Sequence, residues 1–175
     1  MATNLERASL ISRSVQIESV TLIQVSMDAS LDPTEPPREL RLGQQFRCRY
    51  ETREAQRDQL FVYVSLLFDA SATSLEPSES RVVDLSATFL ATYRIDGAAS
   101  FPEDALQHFA DLNGTFNVWP YWRELVHTFT GRAGLSGIVV PVFKPSVRPV
   151  PTQEELTLEQ HGEPPALPKS SAAPG

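Results

Sequence analysis

The run "QLFVYVSLLFDAS" (59–71) constrains this chain more than any other stretch. It is aromatic and β-branched, and neither of its faces is polar. Leu60, Val62, Val64, Leu66 and Phe68 fall on one side of a strand, and Phe61, Tyr63 and Leu67 on the other. Strand side chains alternate between two faces, so both sides of this run need cover. Its neighbours also read as strands. "QFRCRYET" (45–52) sets Phe46, Cys48 and Tyr50 against Arg47, Arg49 and Glu51 on the opposite face. "RVVDLSATFLATYRI" (81–95) lines one face with Val83, Leu85, Ala87, Phe89, Ala91, Tyr93 and Ile95. "SVQIESVTLIQVSM" (14–27) alternates, but its phase slips. Val15 and Ile17 share a face, Val20 and Leu22 take the other, and Ile23, Val25 and Met27 return to the first. A bulge near Ser19, or cover on both faces, accounts for the slip.

Four strands in succession, joined by loops such as "DPTEPP" (32–37), imply an antiparallel sheet. Helical signals come only afterwards. Ser100 stands three residues before Glu103, a capping-box spacing, with Pro102 in the first turn. Leu106, Phe109 and Ala110 follow at helical spacing, and Asn113-Gly114 is expected to break or kink the run. Pro120 restarts it, and Trp122, Leu125, Val126 and Phe129 form one stripe. Arg132 and Gly134 are a favourable stop. "LSGIVVPVF" (135–143) reads as an extended exit laid against the body. The expected class is therefore α+β, a four-stranded antiparallel sheet with helices packed on one face. Little chain remains for the second face of 59–71, so an oligomer is expected.

Of the 14 prolines, eight fall at or after Pro141. From Pro145 onward large apolar residues are few, too few to offset the entropy of ordering. The expected division is an N-terminal segment (1–13), a folded domain (14–144) and a proline-rich, mostly disordered tail (145–175). Within the tail, Thr152 and Glu155 have capping-box spacing, and "TQEELTLEQH" is a candidate short polar helix.

The formal net charge is −7, which argues against a phosphate-backbone binder. One cysteine, Cys48, cannot form an intramolecular disulfide, and no continuous apolar run marks a secretory signal or a bilayer span. A cytoplasmic protein is expected. His108, His127 and His161 are scattered, so no metal-ligand spacing arises, and no phosphate-binding or nucleophile-elbow motif is present. Asp104 and Asp111 flank Gln107-His108, but a solvated helix face explains them better than a catalytic dyad. No catalytic residue, metal or cofactor is expected, and the chain is read as a non-enzyme. A small enzyme or ligand-binding domain with an aromatic pocket is the alternative from another class. The excess of aromatic and aliphatic surface suits an oligomer that binds other apolar chains.

"PYWRELVHTFTGRAG" (120–134) resembles the P-Y-x-R-E helix and R-x-G stop of the SecB family of export chaperones. Pro120, Tyr121, Arg123 and Glu124 match, then Arg132 and Gly134. The family's later P-x-N-F is answered by Pro141-Val142-Phe143, without the Asn. The resemblance spans roughly residues 14–145. It implies a dimer of dimers with the long helices sandwiched between sheets, and apolar grooves that hold unfolded polypeptides without nucleotide hydrolysis. On that basis Pro120, Tyr121, Trp122, Arg123, Glu124, Leu125 and Phe129 are assigned to the motif helix and oligomer interface. Phe61, Tyr63, Phe89 and Trp122 are the expected client contacts. A typical member hands precursors to the SecA motor through acids in a D-I-x-F-E first strand. Here Ser19-Val20-Thr21-Leu22-Ile23 stands in that place, and both acids are absent. The first strand and "TGR" (130–132) look more like the SecB-like chaperones attached to toxin–antitoxin systems, which bind an extension of their antitoxin. The implied function is a holdase for non-native polypeptides supporting protein export, or, alternatively, the dedicated chaperone of one antitoxin.

Overall fold

The computed structural model describes residues 3–32, 37, 39–55, 59–75, 79–96, 101–135 and 138–146. The tail beyond Ser146, most of the 32–37 loop and the Ser100 half of the expected capping box lie outside them. Four long strands, β1 (Val15–Ala29), β2 (Leu40–Ala55), β3 (Gln59–Ser74) and β4 (Ser80–Asp96), form one antiparallel sheet in the order β1-β4-β3-β2. The strand without a polar face, β3, is central, flanked by β4 and β2. Its Val62, Val64, Leu66 and Phe68 are fully buried under the helices, and Phe61, Tyr63 and Leu67 are half-buried on the outer face.

The phase slip in β1 is resolved by two bulges. Pairing with β4 steps past Glu18, between Ile17 and Ser19, and again past Ile23, between Leu22 and Gln24. Each extra residue resets the pleat. Val15, Ile17, Val20, Leu22, Val25 and Met27 therefore all stand on the inner face, opposite Ile95, Tyr93, Ala91, Phe89, Ala87 and Leu85. Ile23, grouped with Val25 in the sequence reading, is the bulged residue and is exposed.

One helix covers the inner face. α2 (Glu103–Phe109) continues through a π turn (Ala110–Gly114) into α3 (Thr115–Arg132) with αR backbone at each junction. Of the expected break or kink at Asn113-Gly114, the break is absent and the irregularity takes the form of the π turn. Pro120 does not start a helix, which corrects that expectation. The π turn accommodates an extra residue, and Gly114 lets the backbone press on β3, since a Cβ there would stand 2.7 Å from Val64 Cγ1. Pro120 is tolerated inside α3 because the carbonyl it orphans, that of Phe116, belongs to an exposed residue on the solvent side of the helix. Pro102 is the N-cap of α2, not part of its first turn, and its carbonyl accepts from the Ala105 and Leu106 amides.

The expected stripe is in place. Trp122, Leu125 and Val126 are buried and Phe129 is partly so, joined by Val118 and Trp119. Trp122 stacks on Phe68 with centroids 5.2 Å apart, and Tyr93 meets Phe109 edge-on at 5.0 Å. The helix ends at Gly134, whose φ of +82° favours glycine. An N-terminal helix, α1 (Asn4–Ser12), was not foreseen. Its signal was in the sequence: the Thr3 hydroxyl accepts from the Glu6 amide, and the Thr3 amide donates to the Glu6 carboxylate, a capping box. Its Ala8 and Ile11 are buried, it packs on α2, and Arg7 pairs with Asp104 at 3.4 Å.

Gly114→Ala should cost about 1–3 kcal/mol by overpacking against Val64. Urea denaturation of Gly114→Ala, Val64→Ala and the double variant should show the pair less destabilised than the sum of the singles.

Candidate functional site

A helix is roughly 10 Å across, whereas four strands at about 4.8 Å spacing make a sheet nearly twice as wide. The long helix lies mainly over β3 and β4 and only its α2 and π-turn portion reaches β2, so the inner faces of the two edge strands are left partly uncovered. On β1 this exposes Ile17 (49%) and Leu22 (42%). On β2 it leaves Phe46 exposed and Tyr50 half-buried, at the two ends of a trench that the π turn crosses over Cys48.

That trench has an open end and a closed end. At the open end a groove of about 1160 Å³ is lined by Tyr50, Thr52, Phe101, Leu106 and Gln107, with Glu51, Glu103 and Asp104 supplying carboxylates. The Tyr50 hydroxyl donates to the Glu103 carbonyl at 3.3 Å. Burial, then the Glu103 carboxylate, pushes the Tyr50 phenol up from its ordinary value. At the closed end the exit segment returns alongside α3. The Trp119 indole N–H donates to the Pro141 carbonyl at 2.8 Å, and Arg123 Nε donates to the Val140 carbonyl at 2.8 Å. These bonds hold Phe143 over the trench, 6.2 Å from Phe46 and 5.4 Å from Trp119. Phe46 also meets Trp119 and Phe68 at 6.0 and 5.8 Å. From Ile138 onward the exit expected from "LSGIVVPVF" is latched against α3, with Val139 and Val142 exposed, while Ser136 and Gly137 lie outside the described residues.

The expected client contacts do not converge. Phe61 and Tyr63 stack on each other at 6.2 Å on the outer sheet face, where Arg53 lies over the Tyr63 ring. Phe89 (3% exposed) and Trp122 (1%) are in the core on the other side. The motif residues divide as well. Pro120, Tyr121 and Glu124 face solvent, and Trp122 and Leu125 face the sheet. Arg123 holds the exit segment, and Glu124 accepts from Thr128 rather than pairing with its neighbour. Sequence reading missed both the pairing of Tyr50 with Phe101 and the Phe46–Trp119–Phe143 cluster. Trp119 precedes the helix the sequence seemed to start at Pro120, and no spacing rule links β2 to Phe143.

Among the described residues no group of three or more His, Cys, Asp and Glu side chains could hold a metal, and no helix is long and apolar enough to cross a membrane. Cys48 sits under the helix, where burial and the nearby Asp111 carboxylate push its thiol up to about 12, far from a nucleophile's range. Glu18, the acid nearest the family's docking position, is engaged by Arg94 at 3.3 Å.

No protein-family model and no curated protein matches the chain. Among solved structures, it has the SecB-like fold. The SecB-like chaperone Rv1957 of Mycobacterium tuberculosis, solved in complex with a ChAD peptide from the HigA1 antitoxin Rv1956, superposes with a TM-score of 0.65. The match covers 80% of this chain and 98% of that one at 20% identity. The expected subunit fold, a four-stranded antiparallel sheet with a helix packed on one face, is therefore the one observed. A looser likeness, TM-score 0.44 at 14% identity over 73% of this chain and 96% of the other, is to a Streptococcus agalactiae protein of unknown function.

Burial also holds the proton on Tyr93, whose phenol is pushed up to about 12 although Asn117 donates to it. The unfolded chain releases these protons near the ordinary values of 9.0 for Cys48 and 10.0 for Tyr93. Stability should therefore be full below pH 9.0 and fall as pH rises toward 12, because only the unfolded state ionises in that window. Urea denaturation across that range should show the decline, and Cys48→Ala should remove its earliest part.

Proposed function

We propose that this chain is a SecB-type holdase that binds extended, non-native polypeptide along the trench beside β2. The carrying observation is an open groove of about 1160 Å³ bordering an edge strand. An extended client meets main-chain donors and acceptors on such an edge, and alternate client side chains enter the pockets. Tyr50, Phe101 and Leu106 supply apolar contact at the open end, and the Phe46–Trp119–Phe143 cluster at the closed end. None of these contacts needs a nucleotide, metal or other cofactor, and the reading is of a cytoplasmic, non-enzymatic protein.

Between general export and service to one antitoxin, two observations favour the second. The similarly folded Rv1957 was solved with an antitoxin peptide. The acids that would dock SecA are absent, and Glu18 is held by Arg94. A dedicated chaperone binds one such peptide tightly and a panel of unrelated denatured clients weakly. An export holdase binds the panel with similar strength and also binds SecA.

Tyr50→Ala and Phe101→Ala should each weaken client binding by about 10-fold or more, measured by fluorescence titration with an unfolded client. Phe61→Ala and Tyr63→Ala should leave it unchanged. The reverse pattern would move the client to the outer sheet face.

The reading includes a homotetramer, a dimer of dimers. Phe116 (61% exposed) and Tyr121 (51%) lie on the solvent side of α3, and Ile17, Leu22 and Ile23 lie along the β1 edge. These apolar surfaces suit contacts between copies. Light scattering should give the mass of four subunits, and Phe116→Asp with Tyr121→Asp should reduce it to two.

A further inference from the structure

The outer face of the sheet is polar over most of its area but not beside the β2 edge. There β2 presents Arg47, Arg49 and Arg53, with Glu51 between them. In register across from them, β3 presents Leu67, Ser65, Tyr63 and Phe61, all half-buried. A row of cations thus runs beside a short apolar row. Its internal ion pairs are loose. Arg47 is 4.0 Å from Asp69, and Arg53 is 3.8 Å from Glu51, with both arginine side chains 71% exposed. Arg49 has no ion pair among the described residues. Such exposed pairs contribute little, so the cations are available to a better-matched anion.

The chain carries a segment of matching chemistry. Beyond Ser146 it reads "VRPVPTQEELTLEQHGEPP", with Glu154, Glu155 and Glu159 around Leu156 and Leu158, and Glu163 after them. Where it leaves the body also matters. Phe143 is 6.2 Å from Phe46, the β2 residue immediately before Arg47, and Arg47 points to the opposite face. From Phe143 to Glu154 the chain can extend roughly 35 Å, several times the distance around one edge strand. Tethering at such short range gives a high effective concentration, so weak contacts suffice.

We propose that the acidic C-terminal segment docks in cis on the outer face of the β2–β3 pair. Glu154, Glu155 and Glu159 lie on Arg47, Arg49 and Arg53, and Leu156 and Leu158 lie on the Phe61–Leu67 row. The segment passes around the β2 edge and shields a basic, apolar face from other anionic chains. This assignment is independent of the chaperone reading, which concerns the inner face.

A photo-cross-linking residue, p-benzoylphenylalanine, placed at Leu158 in the full-length chain tests it. Mixing isotopically heavy and light copies separates cross-links within a copy from those between copies. Cross-links within one copy, to the peptides carrying Arg47–Arg53 and Tyr63–Leu67, are expected. They should fade at about 1 M salt, where charges are screened beyond roughly 3 Å. Arg47→Glu with Arg49→Glu should abolish them, and adding Glu154→Arg with Glu155→Arg should restore them. These positions are exposed, and unchanged melting temperatures would show that the variants fold. Cross-links to the groove around Phe101, cross-links only between copies, no cross-link at all, or a map indifferent to Arg47→Glu and Arg49→Glu would each overturn the assignment. The last outcome would leave the arginines as simple guards of an edge strand.

Discussion

Two contacts fix the long helix on the sheet: Trp122 stacked on Phe68 and Gly114 seated on Val64. Phe68 also meets Phe46, Phe89 and Trp119. That single β3 side chain therefore joins the helix to the closed end of the trench. With the helix pinned mainly over β3 and β4, the inner faces of β1 and β2 stay partly open in a lone subunit. The exposed edge of β1, the groove beside β2 and the latched exit segment all follow from one narrow helix on a wider sheet. Apolar surface left open in this way is a means of contacting other chains.

The proline inside α3 follows the same logic. A helix that leaned its Pro120 side on the sheet would bury the carbonyl that proline orphans. Turned outward, that side carries Phe116, Pro120 and Tyr121, a surface both apolar and locally short of one backbone hydrogen bond. The residues that most resemble the SecB motif thus divide their work. Trp122 and Leu125 hold the fold, Arg123 anchors the exit, and Tyr121 remains outward.

The strands were legible because alternation is a local signal. Phe46, Cys48 and Tyr50 share the inner face, Arg47, Arg49 and Glu51 the outer one, and β3 is central as its two apolar faces required. The helix was legible in its stripe and its Gly134 stop but not in its length. Asn113-Gly114 and Pro120 ordinarily interrupt helices, and only the tertiary approach of Gly114 to Val64 shows why they do not here. The site was least legible. Tyr50 with Phe101, and Phe46 with Trp119 and Phe143, are drawn from distant parts of the chain, and each grouping depends on where the helix lies. Phe61 and Phe89 looked equivalent as strand aromatics, yet register places one outside the sheet and the other in its core.

The paired bulges of β1 also say something about how this edge was assembled. Without Glu18 and Ile23 the strand would read V-Q-I-S-V-T-L-Q-V-S-M, an unbroken alternation with every apolar residue on one face. The present strand is that plain ribbon with two single-residue insertions. Losing either residue alone would remove its bulge and leave the flanking residues in their present register and on their present faces. Losing both would restore a straight, flat edge of the kind that pairs indiscriminately with other strands. Each insertion is absorbed by its own bulge, independently of the other, and each lends the edge extra twist.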